Sequence, residues 1–414
     1  MYDIVVIGGG AAGMLSSAAA AERGARVLLL ERNDRLGKKL RITGKGRCNL
    51  TNDCSVSEVL ENIPVGSRFL QSALNAFTPA DIMLLFETLG VPLKTERGNR
   101  VFPQSDSAPD IVDALFRYMN KTGIEQRRGR ALGLISENGA ITGVNLSGEN
   151  IKCRAVIMAT GGMSYPATGS TGDGYKMAKT VGHTVTPLRG SLVPLEAEPE
   201  TCGRMQGLTL KNVNLSVFDG GAKPVFTDFG ELVFTHYGIS GPLVLSASAH
   251  MRDFDRKKYH AIIDFKPALD EKKLDLRILR DFGNNLNRDF SNSLGKLLSR
   301  LSIPVIVEKS GIPHDMKVNS ITREQRMGLV RLVKAFRIDI DRPRPIEEAI
   351  ITSGGIDTKE IDPRTMESKL IRGLYFAGEI LDTDAYTGGF NLQIAWSTAH
   401  AAGRSAAAQI ISER

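Results

Sequence analysis

The sequence predicts an α/β fold: a Rossmann-type dinucleotide-binding domain interrupted by a β-barrel-plus-helical insertion. Three observations carry this. Residues 3–7, DIVVI, form an apolar run that leads at once into Gly8-Gly9-Gly10-Ala11-Ala12-Gly13. An Ala-rich stretch, Met14–Arg23, is followed by a second apolar run, Ala25–Leu30, that ends at Glu31. Further strand-to-glycine junctions lie at Ala155–Met158 and Gly373–Ala377, and the long segment between them carries no dinucleotide motif.

The opening stretch reads as strand, G-x-G-x-x-G turn, helix, and strand tipped by an acid. Gly8 permits the tight turn, Gly10 lets the backbone approach a pyrophosphate, and Gly13 lets the helix pack closely on the strand. The helix N-terminus at Ala11 and Ala12 presents free N–H groups to phosphates. Glu31 is placed to accept hydrogen bonds from ribose hydroxyls. A basic stretch then follows: Arg32, Arg35, Lys38, Lys39, Arg41, Lys45 and Arg47, with Asp34 the only acid among them. Because it leads directly out of the second strand, it is expected beside the cofactor phosphates. The stretch and the net charge of +7 also allow a nucleic-acid surface, although interleaved aromatics are missing.

Further along, Ala131–Leu134 and Ile141–Leu146 flank the turn Glu137-Asn138-Gly139 and read as a hairpin. Ala155–Met158 runs into Ala159-Thr160-Gly161-Gly162. Gly373–Ala377 runs into Gly378-Glu379, then Thr387–Gln393 and a helix over Ile394–Ala408. This layout resembles the two-dinucleotide-domain flavoproteins, which wrap an extended FAD. The resemblance implies that Ala131, Ala159, Thr160, Gly161 and Gly162 line the cofactor and that Gly378 and Glu379 bind its polar tail. It also implies that Gly389, Phe390, Asn391 and Leu392 lead the last helix toward the flavin pyrimidine. A positive helix end there would stabilise the anionic reduced flavin. Gly169–Gly174 is glycine-rich but follows no strand, so no second fingerprint marks a nicotinamide domain. NADH or NADPH is therefore expected only as a transient donor.

Between the fingerprint and residue 54 lies Lys38-Lys39-Leu40-Arg41-Ile42-Thr43-Gly44-Lys45-Gly46-Arg47-Cys48-Asn49-Leu50-Thr51-Asn52. It is a glycine-bent loop rich in small hydrogen-bonding side chains, suited to lie along a cofactor. The pattern I-T-G-x-G-R-C-N-x-T-N resembles a flavoprotein family described as aminoacetone-oxidase-like or bile-acid 3-dehydro-Δ(4,6)-reductase. Thr352–Ile356, Ser170–Gly174 and Thr387–Gln393 with Ala395 match it too, so the resemblance spans the chain. It implies tightly bound FAD, held in part by Arg32, Lys39, Gly44, Gly46, Arg47, Cys48, Asn49, Thr51 and Asn52. The expected division is 1–190 and 346–414 for the FAD domain, 191–268 for a β-barrel-like subdomain and 269–345 for a helical one.

Within the insertion, strands are expected at Ser191–Leu195, Asn212–Phe218, Glu231–Phe234 and Tyr259–Phe265. Helices are expected at Glu271–Leu286, Ser293–Ser302 and Thr322–Ala335, the last with a core stripe of Met327, Val330, Leu332 and Val333. The segment is expected to cap the flavin and shape a substrate pocket. The resemblance implies a hydride relay from NAD(P)H through FAD to the conjugated C=C bond of a 3-oxo-Δ4 or Δ4,6 steroid. Such a reaction needs a donor for the enolate and a general acid. His236 and Tyr237, in a turn after a cap strand, and Tyr386, before the Gly388-Gly389 turn, are the candidates. Cys48 is expected to pack on FAD rather than act as a nucleophile, and His183 to be structural.

An FAD-dependent amine oxidase using oxygen, a nucleic-acid-binding flavoprotein and a flavin redox sensor are the competing readings. The 42% hydrophobic and 24% charged content is that of a globular protein. No stretch is apolar enough to span a bilayer, and the four cysteines form no C-x-x-C pair or metal spacing. The first strand begins at once, leaving no room for a signal peptide. A cytoplasmic protein acting on a small molecule is the simple expectation.

Overall fold

The computed structural model describes residues 1–284 and 286–413. The chain divides into two compact units, one of residues 1–191 with 346–414 and the other of residues 192–345.

The first unit is built on a seven-stranded sheet. Tyr2–Ile7 pairs in parallel with Val27–Glu31 on one side and Glu149–Met158 on the other, with Ile4 opposite Val27 and Ala155. Glu125–Arg128 extends one edge in parallel, and Leu374–Phe376 lies parallel to the end of Glu149–Met158. Ile4, Val5 and Val6 are fully buried, as a parallel sheet covered on both faces requires. Ala131–Glu137 and Ala140–Leu146 form the expected antiparallel hairpin. Asn138 and Gly139 both take positive φ at its turn, which matches the right-handed twist of the strands.

The fingerprint helix, Ala11–Ala21, packs against the long last helix, Phe390–Ser412. Small side chains make this approach possible: a Cβ on Gly403 would sit 2.4 Å from the Ser16 carbonyl oxygen. Trp396, fully buried on the last helix, donates from Nε1 to the Leu50 carbonyl at 3.0 Å. The region of residues 55–121, left without elements by the sequence reading, holds Val56–Glu61, Ser67–Ala76, Pro79–Thr88 and Ala108–Lys121. Among the described residues no single helix is long and apolar enough to cross a membrane.

The second unit holds a closed six-stranded antiparallel barrel. Its strands are Leu195–Ala197, Thr209–Phe218, Phe226–Phe234, Gly238–Ser240, Tyr259–Asp264 and Phe336–Pro343. Two corrections follow. The segment 269–345 is not helical throughout, because Phe336–Pro343 returns to close the barrel against Leu195–Ala197. The strand expected at Ser191–Leu195 is broken, with Leu192 at φ +54° between Arg189–Ser191 and Leu195–Ala197.

Beside the shorter Pro199–Arg204, Pro242–Ser248 and Phe290–Ser293, the longer helices of this unit are Glu271–Gly283, Ile303–Ser310 and Arg323–Lys334. Thr322 caps the last in a reciprocal box with Gln325. Its Val330 and Val333 are buried and Met327 and Leu332 half-buried, so the stripe is core. The helix expected at Ser293–Ser302 is instead the end of a short turn and a 3-10 turn. The helix begins at Ile303, with Pro304 in its first turn, where a missing N–H costs nothing.

Candidate functional site

The glycine turn is fixed by close contacts. A Cβ on Gly13 would lie 1.7 Å from the Gly8 carbonyl oxygen, so the helix meets the turn backbone to backbone. Gly8, at φ +107°, passes the Ala159 carbonyl so closely that a Cβ would come within 2.4 Å of its oxygen. Gly10 is the opposite case, with nothing within 4 Å of where a Cβ would stand. The helix that starts there has no side-chain cap and no acid in its first turn. Its N–H groups thus face an open cradle suited to an anion. Glu31 uses one oxygen to accept from Gly9 N–H at 2.6 Å and the other from Asn33 N–H at 2.7 Å. The carboxylate is therefore held rigidly at the strand tip, with lone pairs left for a sugar hydroxyl.

The basic stretch is largely neutralised. Arg32 reaches Thr171 at 2.7 Å and Asp173 at 3.1 Å, and Arg41 reaches Asp113 at 2.9 Å. Lys38 pairs with Asp34 at 2.7 Å. Arg47 pairs with Glu96 and Asp106 and lies 4.1 Å from the Phe102 ring centre. Those two carboxylates hold the Arg47 guanidinium above its ordinary pKa. Arg47 is thus spent on the neighbouring hairpin, not offered to a phosphate. Gly44, Lys45, Gly46 and Cys48 all take positive φ, which concentrates backbone strain in this motif. Cys48 is fully buried, and burial pushes its thiol up to about 12, so it is a neutral packing group.

Lys39 meets the far end of the chain. Its Nζ donates to Glu379 Oε2 at 2.7 Å and to Ser164 Oγ at 2.6 Å. Glu379 Oε1 accepts from Ser164 Oγ at 2.9 Å and from Thr352 N–H at 3.0 Å. Thr352 Oγ1 in turn accepts from the N–H groups of Met163 and Ser164. Three segments distant in sequence therefore converge on the Glu379 carboxylate. Ser164 and Thr352 were not among the predicted site residues. The Thr352–Ile356 match in the sequence was the signal for Thr352; Ser164 carried none.

The loop before the last helix is stitched to the same motif. Asn52 Nδ2 donates to the Gly388 carbonyl at 3.0 Å, and Thr51 Oγ1 donates to Gln393 Oε1 at 2.7 Å. Gly389, at φ +100°, lies against Thr51, whose carbonyl oxygen would be 2.3 Å from a Cβ there. Phe390 is buried and Leu392 half-buried. Asn391 accepts from Ala385 N–H and donates to the Ala385 and Tyr386 carbonyls, which shapes the turn before the helix. The helix has no side-chain cap and no first-turn acid, like the fingerprint helix.

Ala131 and Ala159 are buried at strand ends, and Gly161 follows at φ +69°. Gly162 is held against Thr352 and Glu379, whose oxygens would lie 2.3 and 2.9 Å from a Cβ there. Gly378, at φ +76°, packs on Ala12. Thr160 Oγ1 and Asn49 Oδ1 are shielded from solvent and have no hydrogen-bond partner among the described residues. A buried polar atom left so costs about 1–3 kcal/mol. These two atoms, the open Gly10 cradle and two uncapped helix starts fit a large polar cofactor of the dinucleotide class.

The three predicted catalytic residues fall in different units. His236 and Tyr237 occupy the turn between Phe226–Phe234 and Gly238–Ser240 in the inserted unit. Their rings meet edge to face at 4.9 Å, and the Arg344 guanidinium lies 4.7 Å from the Tyr237 ring centre. Tyr386 belongs to the first unit, where its N–H donates to the Asn62 carbonyl at 3.0 Å. His183 is a buried strut, hydrogen-bonded to Glu360 at 2.9 Å and Ser368 at 2.8 Å.

A parallel sheet, a glycine fingerprint and a returning C-terminal helix define a Rossmann-type cofactor-binding protein. The chain belongs to the HI0933-like Rossmann-domain family, whose model matches residues 2–405, a family of FAD-dependent oxidoreductases. It is 31% identical to the ribosomal RNA dihydrouridine synthase of Escherichia coli over 97% of this chain and 96% of that one. It is 29% identical to the 3-dehydro-bile acid delta(4,6)-reductase of Clostridium scindens, over 92% and 93% of the two chains. The 3-ketosteroid delta1-dehydrogenase of Sterolibacterium denitrificans shares the fold, with a TM-score of 0.55 at 14% identity over 99% of both chains.

Proposed function

We propose that this chain reduces a C=C bond conjugated to a carbonyl, and that its substrate is a uracil base within RNA. The names of the two relatives support the chemistry. A 3-oxo-Δ4,6 system and the C5=C6 bond of uridine are both electron-poor double bonds conjugated to C=O. One reaction serves both: hydride to the β-carbon, proton to the α-carbon. Reduced FAD, when bound, supplies the hydride, and NADH or NADPH is the donor we assign to the electrons.

The chain's own residues would hold and orient the cofactor. The N–H groups of Ala11, Ala12 and Gly13 would take the pyrophosphate, and Glu31 the ribose. Asn49, Thr160 and Glu379, with Lys39, would take polar groups along the chain of the cofactor. The last helix would place its positive end against the pyrimidine edge of the ring. A general acid must protonate the carbon next to the carbonyl, and His236, Tyr237 and Tyr386 are the residues we propose for it.

The observation that favours RNA over a steroid is where the charge lies. Residues 192–345 hold 24 of the 53 basic and 19 of the 46 acidic residues, hence five of the seven net positive charges. A neutral sterol has no use for a basic insertion and a single carboxylate needs only one cation; a polyanion can use all of the excess. The Clostridium scindens relative keeps a bile-acid substrate as the second reading. The test is genetic and chemical: ribosomal RNA from cells with and without this gene is digested and its dihydrouridine measured. Loss of one dihydrouridine in the deletion, restored by the gene, supports the RNA reading. Unchanged RNA, with purified protein that reduces a 3-oxo-Δ4 bile acid, moves the steroid to first place.

A further inference from the structure

The helical half of the inserted unit exposes cations that have no ion pair among the described residues. Its acids are almost all spent. Asp270 pairs with Lys273, Asp275 with Arg326 at 2.6 Å, Asp281 with Arg277 at 2.8 Å and Asp289 with Lys317 at 2.5 Å. Lys272, Arg280, Arg288, Lys296 and Arg300 are all exposed, and their side chains have no ion pair among the described residues. Among the described residues Glu271 is the one carboxylate of 271–300 with no ion pair, and the stretch carries seven cations against four acids.

Two of these cations share one face of a helix. On Glu271–Gly283 the buried positions are Leu274, Ile278, Asp281 and Phe282, while Lys272, Leu276, Leu279 and Arg280 fall on the opposite face. Arg277 Nη2 donates to the Lys296 carbonyl at 3.4 Å, which brings the 3-10 turn against the helix one turn from Arg280. The Arg288 carbonyl accepts from Val318 N–H, which fixes that loop in turn. Leu276, at 66% exposure, lies between Lys272 and Arg280, with Leu286 at 55% and Leu301 at 45% along the same segment. Apolar side chains left in water amid cations mark a face that something covers, and the cations say that the cover is anionic.

We infer that the face carrying Lys272, Arg280, Arg288, Lys296 and Arg300 docks the phosphate backbone of RNA. This rests on the RNA reading above and adds a location to it. Phosphate contacts of this kind position a substrate without reading its sequence, and selection of the target base is left to the flavin site. Each contact releases counterions, so affinity falls steeply with salt.

The test uses the full-length flavin-loaded protein and a structured ribosomal RNA transcript, with binding measured at two salt concentrations. The variant Lys272→Glu/Arg280→Glu/Arg288→Glu/Arg300→Glu is compared with Arg35→Glu/Lys45→Glu, which reverses exposed charge elsewhere. Lys272→Gln/Arg280→Gln/Arg288→Gln/Arg300→Gln guards against a folding defect, with the flavin spectrum and melting temperature as controls. The expected result is at least a tenfold loss of affinity for both fourfold variants and a salt slope shallower by about 3. The loop variant should bind within about twofold of the parent, as reversal of two solvent-screened charges outside the docking face predicts. Unchanged binding by the fourfold variants overturns the docking face and leaves the RNA reading standing. No RNA binding by the parent at low salt overturns both. Binding to vesicles rich in anionic lipid, but not to RNA, would overturn the proposal in favour of a membrane surface.

Discussion

Two stretches of this chain carry seven basic residues each and dispose of them in opposite ways. In the stretch 32–47, Arg32, Lys38, Lys39, Arg41 and Arg47 each find a carboxylate, and the carboxylates come from as far away as Asp173 and Glu379. In the second, Asp270, Asp275, Asp281 and Asp289 pair with Lys273, Arg326, Arg277 and Lys317, and five other cations between 271 and 300 stay exposed with no ion pair among the described residues. A run of basic residues therefore says little about surface charge until the partners are known. The first stretch spends most of its cations on ion pairs within the fold; the second leaves five exposed, and in the reading proposed above they meet RNA. The expectation that the first stretch could form a nucleic-acid surface moves, for this reason, to the second.

The comparison breaks most sharply at the turn that the first region serves. Gly13→Val places a side chain where Gly8 O already stands at 1.7 Å from the Cβ position. Backbone must shift there, so the protein is expected to purify without flavin colour or not to fold. Gly10→Ala, with nothing within 4 Å, should fold normally and lose flavin affinity. A Gly13→Val protein with full flavin content would show that the turn does not hold the cofactor.

Lys39→Met removes the cation from Glu379 while its other partners remain. The pair is only about one-fifth exposed, with side-chain accessibilities of 22% and 21%. An unpaired, largely buried carboxylate should cost about 1–3 kcal/mol, less than a fully buried pair because some water reaches it. The measurement is chemical denaturation, and Lys39→Met/Glu379→Gln should recover part of the loss. The surface pair Arg204–Glu308, with 46% and 66% accessible side chains, should by contrast change stability by less than about 1 kcal/mol when Arg204 is replaced by Ala.

The smallest effect concerns pH. Burial holds His400, stacked 4.3 Å from the Phe77 ring centre, down to about 4. The unfolded chain titrates this group near 6.5, so between those values it binds the proton that the folded chain refuses. Stability is present above about pH 6.5 and is lost as pH falls toward 4. His400→Phe keeps the stack and should flatten part of the fall in melting temperature between pH 7.5 and pH 5 (about the window set by these two values). An identical pH profile would show that other groups control it.

What was legible in the sequence depended on how local the signal was. The fingerprint strand, turn and helix announce themselves because Gly13 answers to a contact with Gly8, five residues away, although Gly8 itself is also held by the distant Ala159 carbonyl. The hairpin at Asn138-Gly139 is likewise local. The barrel was read only in part, because Gly238–Ser240 is three residues long and Phe336–Pro343 pairs with strands far upstream. The helix at Ile303 was missed because Pro304 reads as a breaker when its place in the first turn is unknown. Ser164 joined the site only through folding, since nothing in its neighbours signals Lys39 or Glu379.

One measurement reaches the central claim most directly. The flavin-loaded protein is reduced without oxygen by NADH or NADPH, and ribosomal RNA from a strain lacking the gene is added while the flavin absorbance is followed. Rapid reoxidation of the flavin, with one uridine that gains two hydrogens, is the expected result. Flavin that stays reduced with RNA, and is reoxidised only by a steroid enone or by air, would contradict it.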